Sequence, residues 1–202
     1  GSGLVDTRQA VIKSYAHNAR VARSLGWETK HFIEGRLNRR EEYKPEYYTV
    51  EFDQSHPQLL GVEWSMDFKS DGYTLSPMVY DAIIPYSYAN GQPLQLEIQK
   101  EFRYALVDGT ESTLAYGEWI ETPYYKFKIR KGEAFAKVVT DDDLSQSSFY
   151  FQSYDAVANW GMEAVTTESN DKKQSSLLTM KMVGYLKPQL ADYLNASIET
   201  LQ

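Results

Sequence analysis

With 21 Lys and Arg against 28 Asp and Glu in 202 residues, the chain carries a net charge of −7, which argues against a general affinity for phosphate backbones and so against nucleic acid as a partner. Hydrophobic residues make up 42% and charged residues 24%, ordinary globular values that exclude wholesale disorder, and no apolar run reaches the roughly 18–20 residues of a bilayer span. Cysteine is absent, which excludes disulfides, thiolate metal sites and cysteine nucleophiles together.

A thiol-free chain suits a bacterial periplasm, where an unpaired thiol is a liability, and is equally compatible with the cytosol. Without such an apolar run membrane insertion is not expected of this segment itself, while Gly1-Ser2-Gly3 reads as a cloning scar, compatible with removal of a flanking anchor. Residues 4–202 offer no linker, repeat or low-complexity tract and read as one domain. The 16 Tyr, 8 Phe and 4 Trp favour half-buried sheet surfaces, where a ring is covered while its polar tip stays hydrogen-bonded.

Asp6-Thr7-Arg8-Gln9 resembles a capping box, and Val11, Ile12, Tyr15, Ala19, Ala22 and Leu25 share a helical face, so the spacing predicts a helix over 7–25 ended by Gly26. Trp27, Phe32, Ile33 and Leu37 continue at helix-like intervals and predict a second helix over roughly 28–43, before Pro45. Its basic run Arg36-Leu37-Asn38-Arg39-Arg40 is answered at once by Glu41-Glu42, as on a solvated helix end.

From Tyr47 the period changes to two. Residues 47–53 and 60–68 read as strands separated by His56-Pro57. Asn90-Gly91 then predicts a hairpin joining 77–89 to 93–107, Asp108-Gly109 one joining those to 112–130, and Lys131-Gly132 one leading into 133–139. Residues 147–166 and 175–186 complete the sheet around a polar turn at 168–174, with Gly117, Pro123 and Gly161 marking bulges or bends. After Lys187-Pro188 an amphipathic pattern over Leu190, Ala191, Leu194, Ile198 and Leu201 predicts a final helix.

The expected fold is α+β: one or two N-terminal helices, a long curved antiparallel meander of about seven strands, and a C-terminal helix, together cup-like. In layout alone this resembles helix-grip, cystatin-like and lipocalin-like folds. No motif carries the likeness into an activity.

Between Leu94 and Leu106 the alternation is broken by Lys100, placed on the apolar face, where an ammonium needs a carboxylate or several hydrogen bonds. Asp155 interrupts an apolar face of 149–157 in the same way and is the expected partner. Lys100, Tyr104, Tyr116, Asp155 and Trp160 form the candidate site for a small amphipathic or aromatic ligand inside the cup, against the plainer reading of a snorkelling lysine or a structural ion pair.

No catalytic residue, metal site or cofactor is expected. His17, His31 and His56 are scattered without metal-ligand spacing, and Asp141-Asp142-Asp143 with Ser145 lacks the glycine and distal Glu of a calcium loop. A Gly-rich phosphate cradle and a Gly-x-Ser-x-Gly elbow are both absent. Asn195-Ala196-Ser197 matches a glycosylation acceptor but lies in the expected final helix.

The sequence therefore points to a non-enzymatic binding domain, an extracytoplasmic bacterial sensor or binding module that recognises a small ligand or a protein partner. An acid–base enzyme of the isomerase, cyclase or dehydratase type, using the same cup, and a structural component of a protein assembly are the alternatives.

Overall fold

A computed structural model describes residues 2–35, 37–102, 110–140, 146–169, 178–184 and 186–202. The fold is α+β. It comprises two compact units, one built from residues 29–153 and the other from 1–28 with 154–202.

The first unit is a sheet structure. Its strands are β1 (Thr29–Glu34), β2 (Arg39–Glu42), β3 (Tyr48–Phe52), β4 (Gln58–Lys69), β5 (Gly72–Ser87), β6 (Gln92–Pro93), β7 (Thr110–Leu114), β8 (Ile120–Thr122), β9 (Tyr125–Lys131) and β10 (Gln146–Phe151). A seven-stranded antiparallel sheet runs in the order β2-β1-β10-β4-β5-β6, with β7 also on β5, and a second sheet runs β3-β9-β8. The expected antiparallel direction is present, but the strands outnumber the expected seven and the order is not a simple meander: β10, far along the chain, sits between β1 and β4.

Alternation along β4, β9 and β10 sends one set of side chains from each sheet toward the other. Trp64 lies 5.0 Å from Tyr125 and 5.3 Å from Phe127 between ring centroids, and Phe127 in turn meets Phe149 at 5.5 Å and Phe151 at 5.6 Å. Phe52 joins Phe151 and Tyr88, while Tyr48 and Tyr47 both meet Phe68. Between these strands, where the sequence led us to expect a hollow, lie clusters of mutually packed rings. Each such ring contributes about 1.5–3 kcal/mol through burial.

Near Gly61 the ladder slips, from Leu60 opposite Ile84 to Val62 opposite Val79, so β5 spends three more residues than β4. Gly61 has φ +82°, and the Ala82 carbonyl oxygen occupies the space a Cβ would need. Only glycine meets both demands cheaply.

Several elements differ from the spacing-based expectation. Residues 28–43 form β1 and β2, not a helix, because β1 is claimed by β10 on one side and β2 on the other. The apolar spacing of Trp27, Phe32, Ile33 and Leu37 imitates a helical period that pairing overrides. Among the described residues of 93–107, Pro93 pairs with β5, as Gln92 does before it; residues 94–99 carry no regular structure, the chain turns helical at 100–102, and 103–107 lie outside the described residues. The expected Asp108-Gly109 turn lies outside the described residues. After β9 the chain makes no hairpin but a short helix, α3 (Phe135–Val138), set by the Gly132 and Ala134 N–H groups donating to Tyr47 O at 2.9 Å and Glu46 O at 3.0 Å.

The second unit is helical, with α1 (Ser2–Ile12), α2 (Tyr15–Leu25), α4 (Tyr154–Ala164) and α5 (Lys187–Leu201), plus a hairpin of β11 (Val165–Ser169) and β12 (Leu178–Met182). The first predicted helix is two. Ser14 caps α2 by accepting from His17 N at 3.2 Å, and Asn18 Nδ2 donates to the carbonyls of Ile12 and Ser14 at 2.8 Å each, satisfying groups the break exposes.

The expected strand 147–166 is strand to Phe151 and again from Val165, with α4 between. Tyr154, Val157, Ala158 and Gly161 are buried at helical intervals along α4. α5 begins as expected, with Pro188 in its first turn. Of the β11–β12 turn, residues 170–177 lie outside the described residues.

Candidate functional site

The described residues among those singled out from sequence are divided between the two units. Lys100 is exposed and opens the helical turn at 100–102, so the alternation that seemed to bury it does not describe this segment. Its neighbour Ile98 is buried, and the next ring, Phe102, packs 4.5 Å from Tyr124. Tyr104 lies outside the described residues.

Tyr116 is an architectural ring. It lies among Phe68, Tyr73 and Phe135, and its hydroxyl donates to Lys69 O at 2.6 Å and Gly72 O at 3.0 Å, tying down the β4–β5 turn. Burial pushes its phenol up to about 12, so it is a neutral donor at physiological pH. Lys131 Nζ lies 5.1 Å from the Tyr116 ring centre and donates to Ser70 O at 2.8 Å.

Asp155 and Trp160 belong to α4 in the helical unit. Asp155 is exposed in the first turn, where a carboxylate complements the helix dipole, and it accepts a hydrogen bond from Tyr15. Trp160 packs in a trio with Trp27 at 5.7 Å and Tyr193 at 5.3 Å.

The three histidines are each engaged. His17 Nε2 meets Ser197 Oγ at 2.8 Å in the helical unit, and burial, with Arg20 adding, lowers its basicity. His56 Nε2 donates to Thr122 O at 2.7 Å.

His31 has both nitrogens committed, Nδ1 to the Tyr48 hydroxyl at 2.7 Å and Nε2 to Thr29 Oγ1 at 2.9 Å. Burial drives its pKa down to about 4, so the imidazole is neutral near pH 7. Next to Tyr48 in the chain, Tyr47 donates to Glu42 Oε1 at 2.6 Å and meets Ser147 Oγ at 2.7 Å; burial, then the Glu42 contact, pushes that phenol well above its usual range. The Tyr47 and Tyr48 rings touch, 5.0 Å apart between centroids.

The outward face of β3-β9-β8 has a different character. Register places Lys128 opposite Glu51 and Lys126 opposite Glu121, with Arg130 and Asp53 on the same face. Arg130 Nε lies 2.6 Å from Glu51, Lys128 3.5 Å from Glu51, and Lys126 3.1 Å from Asp53.

Asp53 is held down to about 2, chiefly by the hydroxyl and N–H of Ser55 and then by Lys126. Glu51 is lowered first by Arg130. Over these charges lies Trp119, with Lys128 Nζ 4.2 Å and Lys126 Nζ 5.1 Å from its ring centre. The residue remains 42% exposed.

Sequence reasoning placed 112–130 in a strand but passed over Trp119. The signal available was the alternation Lys126-Phe127-Lys128-Ile129-Arg130, which puts every cation on one face; the exposure of a nearby indole has no counterpart in composition or spacing.

Among the described residues no group of three or more His, Cys, Asp or Glu is placed to hold a metal ion. No helix among them is long and apolar enough to cross a membrane. No protein-family model matches the chain, and no curated protein matches it.

Proposed function

We propose that the chain is a non-enzymatic binding module that recognises its ligand or partner on the outward face of the β3-β9-β8 sheet. The observation that carries this reading is Trp119, a large ring left exposed amid paired charges, while the other ring clusters described above are spent on packing. Exposed aromatic groups beside fixed polar ones are the usual anchors of recognition surfaces. Within the same reading the module is extracytoplasmic, a setting to which a cysteine-free chain is suited.

The test is a thermal-shift and immobilised-peptide screen with neutral, anionic and aromatic compounds, run on the wild-type chain, on Trp119→Ala and on Leu37→Ala, an exposed control on β1–β2. Hits lost in Trp119→Ala and kept in Leu37→Ala support the face. Hits indifferent to Trp119 sink it.

One observation favours a second reading, an acid–base enzyme: His31 and Tyr48 share a 2.7 Å contact beside the Tyr47–Glu42 pair. A turnover whose pH profile shifts in His31→Gln would support that reading.

A further inference from the structure

Resting on the surface reading above, we propose that the face around Trp119 binds a neutral oligosaccharide. The argument starts from charge. Lys126, Lys128 and Arg130 stand against Glu51, Asp53 and Glu121 on one face, so the face is balanced in sign.

An anionic ligand would have to displace Glu51 or Asp53 from cations already 2.6–3.5 Å away, and a cationic ligand would meet the reverse competition. Lys128 is already buried, but an apolar peptide would strip water from the other charged groups of this face, a cost its contacts would not repay. A neutral polyol needs none of this. Its hydroxyls donate to carboxylates and accept from ammonium and guanidinium groups, replacing water one for one.

Trp119 supplies the other half. A sugar ring presents a face of C–H groups, apolar and weakly positive, which suits the negative face of an indole. The ring is steadied by Lys128 and Lys126 and keeps 42% of its surface in solvent. The surrounding donors and acceptors are steadied as well, because β9 is the central strand of its sheet and Lys126, Lys128, Arg130, Glu51 and Asp53 are already held in ion pairs. Little ordering is left to be done when a ligand arrives.

The experiment is affinity electrophoresis of the folded chain through gels containing neutral polysaccharides (β-glucan, mannan, starch) or an anionic one (pectate). Wild type is compared with Trp119→Ala, Trp119→Phe and Glu121→Gln, and circular dichroism checks that each is folded. The expected result is retardation by at least one neutral polysaccharide, with affinity reduced at least tenfold by Trp119→Ala, partly kept by Trp119→Phe and weakened by Glu121→Gln.

Retardation by pectate alone, by no neutral polysaccharide, or equally in Trp119→Ala overturns the proposal. The two levels are separable. A peptide or small molecule that needs Trp119, with no glycan that does, removes the ligand class and leaves the binding face; binding that ignores Trp119 removes both.

Discussion

Gly161 of α4 lies directly against the phenol of Tyr193 on α5, so close that a Cβ at 161 would overlap the tyrosine oxygen and its ring carbon. The same hydroxyl donates to Asn18 on α2, which ties three helices at one point. Tyr193 is fully buried, leaving its ring little room to yield.

Gly161→Ala should therefore destabilise the helical unit by about 1–3 kcal/mol despite alanine's better helix propensity, because overpacking outweighs propensity. Tyr193→Phe keeps the ring but strands the Asn18 carbonyl oxygen, at a cost of about 1–3 kcal/mol. Urea denaturation checks both. A stabilised Gly161→Ala would show that the helices are free to separate there.

His31 predicts a pH dependence. Its folded pKa, near 4, lies below the unfolded value of 6.5, so the unfolded chain takes up the proton first. The stability tied to His31 is complete above about 6.5 and is lost as pH falls toward 4, by up to about 3 kcal/mol. His17 is shifted in the same direction and adds to the slope. In His31→Gln the loss between pH 6.5 and 4 should shrink, while the fall below pH 4, where Asp53 with its pKa near 2 contributes, should remain. Melts at closely spaced pH values test this.

Two tryptophans should respond in opposite ways. Trp64 is buried among Tyr125 and Phe127, and Trp64→Ala is expected to cost about 3–5 kcal/mol. Trp119→Ala loses exposed cation–π contacts, for about 1 kcal/mol or less. Equal losses in denaturant melts would mean that Trp119 is a core residue.

Arg39 makes a two-pronged contact with Glu63, a nearly buried carboxylate on β4. Arg39→Met should cost about 2–3 kcal/mol, because Glu63 is left charged without its partner. The double variant Arg39→Met with Glu63→Met should be closer to wild type than Arg39→Met alone. A thermodynamic cycle measures the difference, and strict additivity would show that the pair is uncoupled.

What was legible in the sequence was whatever local chemistry decides. Gly26 ends α2 with φ 70° in the left-handed region, Pro188 sits in the first turn of α5, and Asn90-Gly91 turns β5 into β6. What escaped was decided by partners far along the chain. Phe32 and Ile33 look helical until β10 is known to lie beside them, and Asp155 looks like a strand residue until Val157, Ala158 and Gly161 are seen as one helical stripe.

Of the candidate ligand-binding residues, Tyr116 and Trp160 are rings packed against other rings, Tyr116 among Phe68, Tyr73 and Phe135 and Trp160 against Trp27 and Tyr193. Lys100 misled because a run of alternating residues predicts a strand only where a neighbour accepts its hydrogen bonds. Trp119 was invisible because exposure is a property of the assembled sheet.

The place of β10 between β1 and β4 reaches back to the ribosome. While translation has gone no further than β9, β1 and β4 each present a naked row of amides and carbonyls with no strand to fill the gap. The sheet closes only after residue 151 emerges, so folding of this unit waits on nearly its whole length, and a chaperone that shields those two edges during synthesis would raise its yield.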